Sequence, residues 1–141
     1  MRNLSPLLLV VFTLTLLGCG RGDQINGHNS RTAFRSVKIL KERLPAEKRI
    51  EFEVSFWTIR DAYKDTDEFL EQVDGKNPDA IIALGRDLYQ QRKSQGFKAY
   101  EKYQSWEDMI SQFSQERMNQ DRHIKVDPRD KDKANNVLYK L

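Results

Sequence analysis

Four aromatic residues at spacings of three are the side chains best suited to recognition. They fall within ten residues: Phe97, Tyr100, Tyr103 and Trp106. On an α-helix, each step of three residues falls about 60° short of a full turn. The four rings would therefore be spread over half of the helix circumference. The segment therefore predicts one of two arrangements. Either the rings form an exposed surface that stacks on a glycan or anchors a protein partner, or they complete a core that is short of apolar side chains.

One acidic cluster has enough carboxylates to suggest a cation site: Asp61, Asp65, Asp67 and Glu68. A calcium loop takes oxygen ligands at alternate positions, with Gly at the sixth position and Glu at the twelfth. The sixth residue is Thr66 when counted from Asp61 and Leu70 when counted from Asp65, so the pattern fails. We expect these acids to lie near the start of a helix, where they complement its dipole.

The single cysteine, Cys19, follows a segment with the features of an export signal. Arg2 and the amino terminus are positive, and residues 7–17 are apolar apart from two threonines. At about 1.5 Å per residue this apolar stretch is near 17 Å long, well short of the roughly 30 Å hydrocarbon layer of a bilayer. The sequence therefore favours a cleaved signal peptide over a membrane-spanning helix.

The residues around Cys19 resemble the lipobox of bacterial lipoproteins. Leu16-Leu17-Gly18-Cys19 supplies an aliphatic residue, a variable one, a small one and then Cys. The resemblance implies cleavage between Gly18 and Cys19, diacylglycerol on the Cys19 sulfur and an acyl chain such as palmitate on the new amine. Two or more chains anchor a protein stably. Because Gly20 is not Asp, the resemblance also implies the inner leaflet of the outer membrane, with the body facing the periplasm. An ordinary secretory signal or an uncleaved anchor is the alternative.

No catalytic arrangement is evident in the sequence. His28 lies in a glycine-rich stretch and His123 in a charged one, and neither is accompanied by a nucleophile elbow or a glycine-rich phosphate loop. We predict a non-enzymatic, membrane-anchored interaction module without cofactor or metal, and an unidentified envelope protein as its partner. A glycan- or peptidoglycan-binding protein that uses the aromatic segment, from Phe97 to Trp106, is the alternative. An envelope hydrolase is less favoured. The net charge of +3, from interleaved signs, argues against nucleic acid.

Periodicity and cap residues predict an all-α body. Asn29 or Ser30 begins a helix that ends before Pro45. The next segment is ambiguous, since residues 50–56 alternate like a strand while apolar residues through Tyr63 follow helical spacing. Its length favours a helix, because strands rarely exceed ten residues. Further helix starts are predicted at Asp65, at Asn77-Pro78 and at Ser105.

These elements divide the chain into four parts. Residues 1–18 are the signal peptide, and residues 19–29 are the lipidated cysteine and a flexible Gly-rich tether. Residues 30–118 are the body, which we expect to be a small antiparallel helical bundle. Residues 119–141, where basic and acidic side chains alternate, are predicted to be a disordered tail.

Two segments resemble a family of small bacterial lipoproteins that is described only as a domain of unknown function. Residues 44–52, LPAEKRIEF, are similar to an L-P-x-E-K-R-x-E-F segment of that family. Residues 74–83, DGKNPDAIIA, are similar to its D-G-K-T-x-x-E-I-I-A segment, with Asn77-Pro78 where Thr is common. The resemblance covers about residues 16–90 and implies an all-helical fold and a lipid anchor. It implies no activity.

Overall fold

The computed structural model of the protein describes residues 22–124. Within this range the chain forms six α-helices and no strand: α1 Ser30–Arg43, α2 Ala46–Ala62, α3 Thr66–Val73, α4 Pro78–Ser94, α5 Lys98–Glu101 and α6 Trp106–Ile124. The all-α fold predicted from the sequence is confirmed. The ambiguous segment from residue 50 to residue 56 lies in α2 and is helical.

Side-chain hydrogen bonds cap the beginnings of α1, α3 and α4. The Asn29 side chain accepts from the backbone N–H of Thr32, and the Thr32 hydroxyl accepts from the backbone N–H of Asn29, so the two form a capping box at α1. Asp65 caps α3 through the N–H groups of Asp67 and Glu68. Asn77 caps α4, with Pro as its first residue. These local bonds satisfy N–H groups that a helix leaves without partners, which is why the sequence located these starts correctly.

α2 and α4, each of 17 residues, run parallel to each other. Lys48 pairs with Asp79 near their first turns, and Asp61 pairs with Arg92 near their last turns. α3 returns the chain between them. The expected antiparallel arrangement is therefore wrong for this pair, while α1 does run antiparallel to α2, since its Lys41 pairs with Glu53 and its Phe34 contacts Trp57.

α2 and α4 approach so closely that only glycine fits at their crossing. A Cβ atom on Gly85 would lie 2.6 Å from Cβ and 2.7 Å from Cα of Ser55. Ser55 is fully buried, and its hydroxyl donates to the carbonyl of Glu51 within its own helix, so its polar atom is satisfied. The pair places the two helix backbones in direct contact.

The buried side chains form two clusters. The larger lies among α1, α2, α3 and the start of α4, and it includes Ala33, Val37, Leu40, Phe52, Phe56, Ile59, Phe69, Leu70, Val73 and Ile81. The smaller lies where the end of α4 meets α5 and α6, and it consists of Tyr89, Tyr100, Tyr103, Trp106 and Met109. α2 contributes to both, since Val54 packs against the smaller cluster.

The predicted flexible tether is wrong from Gly22 onward, because this segment packs on the body. Ile25 is 2% exposed and belongs to the larger cluster. Its N–H donates to the carbonyl of Lys76 and its own carbonyl accepts from the N–H of Gly75, each at 2.9 Å. The N–H of Gly27 donates to the Asp74 carboxylate at 2.7 Å. A buried isoleucine and these bonds outweigh the flexibility that the glycines suggest.

The predicted boundary of the tail also moves. α6 continues to Ile124, so residues 119–124, assigned to the tail by composition, are helical. Gly18, Cys19 and residues 125–141 lie outside the described residues. Among those that are described, no helix is long and apolar enough to cross a bilayer.

Candidate functional site

The aromatic segment turns inward instead of forming an open surface. Tyr100, Tyr103 and Trp106 are 8%, 7% and 2% exposed, and Phe97 is half-buried. The interpretation as a freely exposed partner or glycan surface is therefore wrong for three of the four rings. The reason is that the segment is not one helix: α5 is a single turn that ends at Glu101, so the rings do not fan around one axis.

Two cations at the end of α4 hold this segment in place. The Lys93 ammonium donates to the backbone carbonyls of Tyr103 and Gln104. The Arg92 guanidinium lies over the Phe97 ring, 3.7 Å from its centroid, and pairs with the Asp61 carboxylate of α2 at 2.7 Å. These contacts tie the aromatic segment to both α4 and α2.

A third contact fixes the beginning of α6. The indole N–H of Trp106 donates to the Glu51 carboxylate at 2.8 Å, and Arg86 of α4 pairs with the same carboxylate at 3.0 Å. Farther along α6, Arg117 pairs with Glu53 at 3.6 Å. α6 thus passes over the middle of α2, and it leaves space on one side.

That space is an apolar groove of about 640 Å³ between α2, the aromatic segment and α6. We call it the α2–α6 groove. α2, the aromatic segment and α6 all contribute to its apolar lining, which consists of Ile50, Val54, Trp57, Phe97, Tyr100, Tyr103, Met109 and Phe113. Three of the four aromatic residues singled out by the sequence, Phe97, Tyr100 and Tyr103, therefore line a groove along α2, and Trp106 does not.

Charged and amide side chains line the margin of the groove: Glu53, Asp61, Lys102, Glu116, Arg117 and Gln120. Several of these charges are already paired. Glu53 lies between Lys41 and Arg117, and Asp61 lies between Arg92 and Lys64. The groove consequently combines an apolar interior with a margin that carries both signs of charge.

The apolar surface continues past the groove onto α1. Trp57 lines the groove and stacks on Phe34, with ring centroids 5.6 Å apart and planes at 25°. Phe34 is 37% exposed, more than most large apolar side chains of the body. Phe34 is therefore an exposed aromatic ring of α1 in contact with the groove residue Trp57.

Burial and charge shift two pKa values at the groove. Burial raises the pKa of the Tyr100 hydroxyl against the opposing effect of the Arg92 guanidinium, so the hydroxyl is protonated at neutral pH. Burial would also raise the pKa of Asp61, but hydrogen bonds and charges from Lys64 and Arg92 outweigh it and hold that pKa below its usual range. Asp61 is therefore a carboxylate that acts as an ion-pair partner and not as a general acid.

The ion pair of Asp61 predicts a pH dependence of stability. A carboxyl group whose pKa is lowered in the folded protein stabilises it above the ordinary carboxyl pKa, and this contribution is lost as the pH falls through the lowered value. We expect Asp61→Asn to be less stable than the unchanged protein at neutral pH, and the difference to shrink below a pH of about 4. Urea unfolding at a series of pH values measures it. A difference that stays constant down to pH 3 (about one unit below the ordinary carboxyl pKa) would contradict the assignment.

The four acidic residues considered as a cation site have separate structural roles. Asp65 caps α3, and Asp61 faces Arg92 across the helix pair. Asp67 and Glu68 lie in the first turn of α3, where they complement the helix dipole as expected. Over residues 22–124, no three His, Cys, Asp or Glu side chains are grouped so that they could hold a metal ion.

Sequence reasoning missed the α2 side of the groove. Ile50, Val54 and Trp57 are spaced by four and three residues, which is a helical face, yet the same spacing is equally typical of residues in a core. Phe113, seven residues after Trp106, has the same ambiguity, since this spacing indicates only a shared face of one helix. Which two faces meet depends on the close α2–α4 contact and on the bend before Trp106, and neither leaves a periodic signal.

Comparison with known proteins adds no relative. No family model matches the sequence, and neither a curated protein nor a solved structure matches it.

Proposed function

We propose that this protein is a lipid-anchored bacterial envelope protein that binds an amphipathic helix of a protein partner in the α2–α6 groove. In this proposal the signal peptide is cut after Gly18, Cys19 carries the lipid, and the body faces the periplasm from the outer membrane. The role is binding and not catalysis. The lipobox-like residues and the similarity of residues 44–52 and 74–83 to lipoprotein segments support the anchor.

The observation that carries the binding role is the apolar lining of the groove. Its α2 face, from Ile50 to Asp61, extends over twelve residues, or about 16 Å, which matches three turns of a bound helix. Helix-in-groove recognition places an apolar helix face in such a lining and polar residues at its margin. Glu116 and Lys102 at the margin offer both signs of charge to a polar helix face.

The glycan alternative has less support from the geometry. Stacking on a sugar requires an accessible ring face. Tyr100, Tyr103 and Trp106 are buried, and Arg92 covers one face of Phe97. An apolar groove lining suits an apolar side chain better than a sugar hydroxyl.

Site-specific photo-cross-linking in the intact envelope tests the proposal. A photoreactive residue in place of Glu116, which is exposed at the groove margin, should form one discrete adduct. The same residue in place of Gln115, exposed on the same helix but outside the groove lining, is the matched control and should form none. The adduct should disappear when Val54→Glu places a carboxylate in the groove.

Two results would overturn the proposal in separable ways. Equal adducts from positions 115 and 116, or an adduct that survives Val54→Glu, would remove the groove as the binding site. A detergent-extracted protein with the mass of the unmodified polypeptide would remove the lipid anchor.

A further inference from the structure

The chain is fixed to the body from Gly22 onward. Arg43, the last residue of α1, donates from its guanidinium to the carbonyl of Gly22 at 3.0 Å and pairs with Asp23 at 3.5 Å. Three residues later Ile25 is buried. The N–H of Asn26 then donates to the Ser36 hydroxyl at 3.1 Å, so the segment lies along α1 up to the α1 cap.

This attachment leaves very little chain between the body and a lipid on Cys19. From Cys19 to Gly22 there are three residue steps, and at about 3.3–3.6 Å per residue they reach no more than about 11 Å. That is shorter than α1 itself, whose fourteen residues extend over about 20 Å. An anchored body cannot stand away from the bilayer as a flexible ten-residue tether would allow.

The contact with Arg43 also determines which end of the body is nearest to the anchor. Arg43 is at the end of α1, and α2 begins two residues after Leu44, at Ala46. Because α4 is parallel to α2, the first turn of α4 lies at the same end, where Lys48 meets Asp79. The opposite end carries Ser94, about 24 Å away along the seventeen residues of α4.

We propose that this end of the body, where α1 ends and α2 and α4 begin, lies directly against the lipid headgroups of the membrane that holds Cys19. The inference rests on the proposed anchor. Exposed cations at this end, Arg43, Lys48 and Arg49, suit phosphate groups of lipids. Asp23, Glu47 and Asp79 equal these cations in number, so the short connection is the main cause of the contact and charge is secondary.

The orientation also determines where the proposed binding groove lies relative to the membrane. The α2–α6 groove begins at Ile50, about one turn from the membrane end of α2, and continues to Asp61. Its opening lies along the side of the body and not at the end that faces the lipid. One end of a partner helix bound in the groove therefore lies about one turn from the membrane end of α2.

Fluorescence quenching in vesicles tests the orientation. The lipidated full-length protein carries a fluorophore on Ala46→Cys or, as the matched control, on Ser94→Cys; both positions are exposed, and the sulfur of Cys19 is consumed by the lipid. The vesicles contain phosphatidylethanolamine, phosphatidylglycerol and a lipid with a nitroxide on its headgroup. We expect quenching at position 46 to be at least about twofold stronger than at position 94, since about 24 Å separates the two ends.

A longer connection supplies the second variant. About ten inserted Gly and Ser residues between Gly20 and Arg21 add roughly 17 Å of average reach and should remove the difference between the two positions. Equal quenching without the insertion, or a difference that the insertion leaves unchanged, overturns the orientation while the lipid mass on Cys19 upholds the anchor. If that mass is absent, the anchor and the orientation fail together.

Discussion

Gly85→Ala should destabilise the body by about 2 kcal/mol or more, although alanine is the better helix former by about 1 kcal/mol. The added Cβ would lie 2.6 Å from Cβ and 2.7 Å from Cα of Ser55, which is closer than carbon atoms approach without displacement. The obstructing atoms belong to a helix backbone and its first side-chain carbon, so no flexible group can move aside. The strain must push α2 and α4 apart.

Urea unfolding of residues 20–141, followed by far-ultraviolet circular dichroism, measures this loss. Asp87→Ala is the matched control, because residue 87 is exposed on the same helix and the substitution also ends in alanine. It should change the free energy of unfolding by no more than about 0.5 kcal/mol. An unchanged or higher stability of Gly85→Ala would show that the two helices do not pack at this glycine.

The starts of α1, α3 and α4 could be predicted from the sequence because they depend on neighbouring residues alone. Asn29, Asp65 and Asn77 cap helices by bonds to N–H groups two or three residues ahead. The end of α3 carries a similarly local signal: Gly75 follows it with φ of 68°, a conformation that glycine adopts without a steric cost. Such signals need no knowledge of tertiary structure.

The direction of the helices could not be predicted, because it depends on how α3 packs. Two helices joined by a short turn are antiparallel, as α1 and α2 are on either side of Leu44-Pro45. α3 adds a third helix of eight residues between α2 and α4. It packs through Phe69, Leu70 and Val73 and returns the chain to the first turn of α2, which makes α4 parallel to α2. These three residues have helical spacing in the sequence, but nothing in the sequence indicates the surface against which they pack.

The candidate site was only half predictable for a related reason. The sequence located the aromatic segment and the helix start at Ser105, whose hydroxyl accepts from the N–H of Asp108. It left open whether the rings were buried, because that depends on Lys93, ten residues before Tyr103, reaching the carbonyls of the bend. A lysine on a helix is ordinarily a solvated residue, and only the fold brings its ammonium to those carbonyls.

Ile25→Ala should lower the free energy of unfolding by about 3 kcal/mol, a loss typical of a buried isoleucine cut back to alanine. The side chain is 2% exposed in the larger cluster, so its removal leaves a cavity beside α1 and the loop that joins α3 to α4. For a body of about one hundred residues, each kcal/mol corresponds to roughly 4–8 °C in Tm. Thermal unfolding therefore detects the change easily.

Gln24→Ala is the matched control, since the adjacent glutamine is exposed and should change Tm very little. Composition alone makes the opposite prediction, because a glycine-rich, polar tether contributes nothing to stability and either substitution would be silent. If Ile25→Ala left Tm unchanged, residues 22–29 would be a tether after all. If Tm falls, residues 22–29 are part of the folded body and Ile25 is part of its core. In the proposed lipid-anchored protein, any force that draws the body away from the membrane would then act on the core, because only three residue steps separate Cys19 from Gly22.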